Sequence, residues 1–262
     1  MSKFKNCFFL FFIFLILYLP IFYLIYYSFS SGNNIAKFEN FSWQHYLNLF
    51  ADRRLIGIVL NTILIALISA TIATAIGTFG AIYLNDLTRP WVKNLILTLN
   101  NILIVSPDVI IGASFLILYS AIKLHLGFWS VLISHIAFSI PIVVLMVLPK
   151  LKELTRSYID AAYDLGASSQ QVLTRVILPF ISSGIFSGFF MALTYSLDDF
   201  AVTFFVTGNG FSTLSVEIYA MARRGISLEI NALTGIIFFI ISIAMVFYYF
   251  GSQRDKKQKK VN

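Results

Sequence analysis

Long apolar runs separated by short polar connections dominate this chain. Six stretches, 7–29, 56–84, 95–122, 129–148, 180–206 and 232–250, are apolar on every side rather than on alternate or one-faced positions. Runs near 20 residues match the length a helix needs to cross a hydrocarbon core of about 30 Å. All-round apolarity is what lipid asks of a helix. The pattern predicts an all-α membrane protein, six transmembrane helices forming a single domain over 1–262. The first run follows Lys3 and Lys5, as a leader peptide would. It exceeds a leader's apolar core of about 7–15 residues and no A-x-A-like site follows, so it is read as a retained helix.

Composition agrees. The chain is 58% hydrophobic and 12% charged, where a soluble domain carries about a quarter charged residues. The single Cys7 permits no internal disulfide. The net charge of +7 would fit nucleic acid if it were clustered on one face, but its distribution fits a membrane topology instead. With the N-terminus inside, thirteen Lys and Arg fall in cytoplasmic segments and six outside (Lys37, Arg53, Arg54, Lys123, Arg223, Arg224). This places both termini in the cytoplasm. The tail "RDKKQKK" is then an anchor on anionic lipid, not a nucleic-acid arm. The outer loops are 30–55, with the amphipathic "NFSWQHYLNLF", and 207–231.

The cytoplasmic connection 149–179 is the most polar stretch and too long for a simple turn. Leu151, Leu154, Tyr158, Ala161, Ala162 and Leu165 recur at helical spacing, and Gly166 ends the pattern. Ser168 with Gln171 predicts a capping box opening a second helix, with Val172, Val176 and Ile177 on its apolar side. The loop reads as a helix-turn-helix, either packed on its own spans or presented to a soluble partner.

These residues carry a resemblance. Asp160-Ala161-Ala162, three residues, Gly166, nine residues, then Val176-x-Leu178-Pro179 is similar to the "EAA" loop of ATP-binding-cassette importer permeases. Asp160 stands where that family has Glu, and Val176 where it has Ile. "SLDDFAVTFFVTG", "IYAMARRGISLEINAL" and "SPDVIIG" resemble the second permease subunit of spermidine/putrescine importers, with Ser215 a departure where Pro is expected. The resemblance implies the type I importer permease fold in a bacterial inner membrane. It also implies two ATPase subunits, a second homologous permease and an extracytoplasmic substrate-binding protein. Asp160, Ala161, Ala162, Gly166 and Pro179 would engage an ATPase. ATP would be used there, with no cofactor on this chain.

Ionisable groups inside a membrane are costly and usually functional. Three acids fall inside predicted spans: Asp108, Asp198 and Asp199. At 1.5 Å per residue, Asp108 lies about 20 Å and Asp198 about 27 Å from the cytoplasmic ends of their spans. On a continuous helix Tyr195, Asp199 and Thr203 form one stripe, with Asp198 about 100° away. Ser106-Pro107-Asp108 predicts a helix break with Ser106 as N-cap and Pro107 at the first helical position, a feature of helices lining transport paths. Fixed negative charge at that depth suits a cationic or metal-ion solute; the family resemblance narrows this to polyamines. Tyr195, Ser196, Phe200, Trp43 and Tyr46 would add polar or cation–π contacts. The competing structural readings are a helix cap or a buried ion pair for Asp198 and Asp199, a cap for Asp108, and interface anchoring for Trp43 and Tyr46. Glu217 reads as a surface partner of Arg223 and Arg224.

An enzyme is not expected. There is no "GxxxxGK[ST]" phosphate loop and no H-E-x-x-H, and His45, His125 and His135 lack metal-ligand spacing. An ion-coupled carrier would also bury acids, but the two halves show no repeat, and the 160–179 loop would have no role in one.

Overall fold

The structure, a computed structural model, describes residues 2–32, 37–224, 228–240 and 242–243. The basic tail, the end of the sixth predicted span and parts of both outer loops lie outside the described residues. The described secondary structure is helical apart from one isolated bridge between Ser30 and Phe41. Two compact units divide the chain: Met1–Ile56 with Ile218–Asn262, and Gly57–Glu217.

In the first unit, α1 (Ser2–Ser28) passes through Pro20 without ending. It keeps Phe9 and Leu17 more than 60% exposed, as a lipid-facing helix should. Phe238 on the helix Leu228–Ile240 meets Tyr18 and Phe22 at ring separations of 6.2 and 5.9 Å. The amphipathic outer segment forms α2 (Gln44–Ala51). It is tied back by Ser28 Oγ and Tyr46 OH at 2.7 Å, and by Phe29, which packs on Trp43 and Tyr46.

The second unit is built on α3 (Arg53–Asp86), α4 (Pro90–Val105), α5 (Asp108–Ala121), α6 (Phe128–Glu153), α7 (Arg156–Asp164), α8 (Ser169–Val172), α9 (Leu178–Phe180), α10 (Ser182–Asp198) and α11 (Ala201–Val206). Helix α12 (Leu214–Arg224) follows. The central helix is α6: Val131, Val143 and Val147 are fully buried. One apolar cluster packs α6 on α3 and α10 through Ala70, Val143, Val147 and Ala192. A second packs it on α3, α5 and α11 through Ile65, Ile111, Val202 and Val206. Small residues set these approaches. A Cβ on Gly77 would lie 2.7 Å from Val143 Cβ, and one on Gly112 would lie 3.0 Å from Val202 Cα.

Among the described residues three helices are long and apolar enough to span a membrane, or five if two bent pairs each count as one. One pair is α4 with α5, bent by 107°. The other is Ser169–Phe180 with α10, bent by 67°. The span over 95–122 is therefore two helices, broken where Ser106-Pro107-Asp108 predicts it, because Pro107 cannot donate to the preceding turn. Glu217 is buried, only 6% exposed, and not on the surface as expected.

Overpacking should expose the tight α3–α6 contact. Gly77→Val lowers the thermal unfolding midpoint of the purified protein, at a cost of about 1–3 kcal/mol. Gly57→Ala, whose methyl meets no atom within 4 Å, leaves the midpoint unchanged or slightly raised.

Candidate functional site

The break before α5 brings two of the predicted residues together. Chain direction changes at Ser106 and Pro107, both extended. Ser106 does not cap α5 as expected; its hydroxyl donates backward to Ile102 O at 2.7 Å. Asp108 opens α5 instead, and its Oδ1 accepts from Tyr195 OH at 2.9 Å. Tyr195 and Asp198 are three apart on α10 and share a face. Asp198 is exposed and has no hydrogen-bond or ion-pair partner among the described residues. The exposed carboxylates of Asp108 and Asp198, the first held by the half-buried Tyr195, thus interrupt an otherwise apolar surface.

Asp199 differs. The continuous helix expected through 180–206 is absent: α10 stops at Asp198, Asp199 is extended, and α11 begins at Ala201. The Tyr195–Asp199–Thr203 stripe therefore does not exist. The Asp199 carboxylate turns inward, 6% exposed, and caps α11. It accepts from Val202 N at 3.2 Å, Thr203 N at 2.8 Å and Thr203 Oγ1 at 2.7 Å. A carboxylate at a helix N-terminus satisfies free N–H groups and meets the positive end of the dipole.

His135, on α6 and fully buried, completes this arrangement. Its Nε2 lies 2.8 Å from Thr203 Oγ1 and 3.5 Å from Asp199 Oδ2. Thr203 gives its hydroxyl proton to Asp199, so Nε2–H donates to Thr203 Oγ1. Nδ1 lies 2.7 Å from Ser196 Oγ, which lies 3.0 Å from Ser69 Oγ on α3. Ser196, expected to line a path, is 3% exposed and belongs to this interior chain. The far end of α11 is held as well: Ser130 Oγ donates to Val206 O at 2.7 Å.

The spacing of His135 in the sequence rules against metal ligation and assigns it no other role. The signal that would have found it is the one applied to the acids: an ionisable side chain within a span needs a partner. Trp43 belongs to the first unit, in an aromatic cluster with Phe29, Phe41 and Tyr46.

The polar loop folds as the predicted hairpin with two differences, one of them that the second helix is π-helical over Leu173–Ile177. Leu151 ends inside α6, and extended residues Leu154 and Thr155 separate it from α7, so the expected single helix is two. The chain leaves α7 through Gly166 at φ +81, with Gly166 N donating to Tyr163 O and Ala167 N to Ala162 O. The capping box forms: Ser168 N donates to Gln171 Oε1 at 2.8 Å, and Gln171 N to Ser168 Oγ. Asp160 and Ala161 are exposed on α7, and Pro179 on α9. Leu165 stands 89% exposed beside a shallow groove of about 370 Å³ lined by Ala162, Gly166, Gln171 and Arg175.

Residues 73–257 match the family described as binding-protein-dependent transport system inner membrane component. The chain is 34% identical to the spermidine/putrescine transport system permease protein PotC of Haemophilus influenzae, over 94% of this chain and 95% of that one. It is 32% identical to the putrescine transport system permease protein PotI of Escherichia coli K12, over 94% and 90%. The backbone superposes with a TM-score of 0.70 on a bacterial ABC transporter involved in the import of the acidic polysaccharide alginate. That match covers 94% of this chain and 95% of the other at 18% identity, and establishes the fold alone.

The cap at α11 yields a stability prediction. Thr203→Val keeps the shape but leaves Asp199 Oδ2 and His135 Nε2 short of a partner, which costs about 1–2 kcal/mol. A lowered thermal midpoint of the purified protein is the readout.

Proposed function

We propose, since the chain belongs to the family of binding-protein-dependent transport system inner membrane components, that it is the permease subunit of an ATP-driven importer whose passenger is a polyamine. A member of this family is the membrane component and not an enzyme; ATP is hydrolysed by a separate subunit. The observation that carries the passenger assignment is the acidic face of Asp108, Tyr195 and Asp198 within apolar helices. The polyamine permeases among its relatives support it.

A polyamine presents ammonium groups separated by methylenes. It loses hydration on entering the bilayer, and fixed carboxylates replace part of what is lost. A unit charge pair at 4 Å contributes about 4 kcal/mol at an effective dielectric of 20. Asp108 and Asp198 are the charged contacts in this reading, and Tyr195 orients Asp108 while offering a ring face to the chain. Asp199 and Ser196 act from behind the site, and Trp43 anchors the outer segment.

The assembly we infer has six spans with both termini in the cytoplasm of a bacterium, a second homologous permease and two ATPase subunits. An extracytoplasmic binding protein delivers the passenger. The α7–α8 hairpin is the ATPase contact: Asp160 supplies charge, and Ala161, Ala162 and Gly166 let a partner approach the backbone. Leu165 offers the bare apolar anchor that such docking needs.

Two substitutions test the two ends. Asp198→Asn in the whole complex should cut labelled polyamine uptake about tenfold or more, within the scale of one close charge pair, with the subunit still in the membrane. Retained polyamine uptake would end the reading of Asp198 as a passenger contact, and a parent complex whose uptake is of metal ions and not of polyamines would end the polyamine reading. Leu165→Asp should abolish co-purification of the ATPase while the chain remains membrane-inserted.

A further inference from the structure

Five polar side chains from three long helices and α11 meet in the interior of the second unit: Ser69, His135, Ser196, Asp199 and Thr203. None of them needs to touch the passenger. The stripe Gly184, Gly188, Ala192 and Ser196 is the buried face of α10; Tyr195, half-buried against Phe138, borders it, and Asp198 lies on the exposed side. The helix is interrupted directly after Asp198, where the backbone would otherwise be free to choose among orientations. A Pro or Gly would explain such an interruption locally, but 194–206 contains neither. Asp199 caps the new helix locally, and what fixes the two helix ends to one another is tertiary.

The imidazole of His135 is the group that contacts both sides of the interruption. It meets Ser196 three residues before Asp199, at 2.7 Å, and Thr203 four residues after it, at 2.8 Å. Through Thr203 it also fixes the carboxylate that caps α11. The ring itself sits on α6, the most buried helix, and cannot shift without displacing the core.

We propose that His135 is a positioning residue of the transport path: its ring straps α10 to α11 across the break at Asp199, and so holds Tyr195 on Asp108 and Asp198 on the exposed face. This rests on the reading of Asp198 as a passenger contact. Loss of the strap leaves the hairpin that meets the ATPase untouched, because α7 and α8 share no member of the network. Transport and ATP hydrolysis should therefore separate. A substitution that merely unfolds the subunit would lower both together.

The test uses the complete importer in liposomes, with uptake and binding-protein-stimulated ATP hydrolysis both normalised to assembled complex. His135→Phe keeps a ring but removes both nitrogens. It should lower polyamine uptake about tenfold, the scale of one orphaned buried polar group, while hydrolysis stays within about twofold of the parent, inside the ordinary spread of such measurements. His135→Gln keeps a donor for Thr203 and an acceptor for Ser196 and should recover most of the uptake. Unchanged uptake in the Phe variant, equal losses of uptake and hydrolysis, or no recovery with Gln would each overturn the proposal. Asp198→Asn run in parallel separates the failures. Uptake that survives it removes the polyamine-site reading, whereas uptake lost there but kept in His135→Phe removes only the strap.

Discussion

A polar group taken into a bilayer must find its partners inside the protein, and this requirement governs the architecture more than any apolar contact. Apolar packing is interchangeable among Leu, Ile, Val and Phe along these helices, and lipid competes equally well for such surfaces. The free N–H groups at the start of α11 have no such latitude. They exist because the helix stops at Asp198, and Asp199 answers them at 2.8 and 3.2 Å. The carboxylate in turn needs Thr203 and His135, and His135 needs Ser196 and Ser69. Satisfying one helix end therefore ties α3, α6, α10 and α11 into one arrangement.

How much of this was legible in the sequence depends on the range of each cause. Pro107 is a local cause, and the break before α5 could be read from it, although Ser106 was given a capping role that it does not fill. Gly166 and the pair Ser168–Gln171 are also local, and the hairpin turn was readable. The extended residues Leu154 and Thr155 carry no such mark, so one apolar pattern was read across two helices. The break after Asp198 carries no Pro or Gly, and although Asp199 could be read as a helix cap, the interior partner that its network reaches, His135, stands 61 positions from Ser196. A reading that assumed a continuous helix put Asp199 on a stripe facing the path, and spacing alone could not show that it turns inward. The six-span count met a different obstacle, since the last predicted span runs past the described residues.

In the proposed reading, with Asp108 and Asp198 as passenger contacts, turning Asp199 inward changes the electrostatics of the path in a direction that favours transport. Three exposed carboxylates close together would hold a polycation strongly, and a carrier that holds its passenger cannot release it. Here one of the three is committed to a helix end, and a second, Asp108, shares its charge with the Tyr195 hydroxyl. Only Asp198 faces outward with no partner among the described residues. The site therefore offers one bare charge and one moderated charge. That is enough to offset part of an ammonium's lost hydration and too little to trap it.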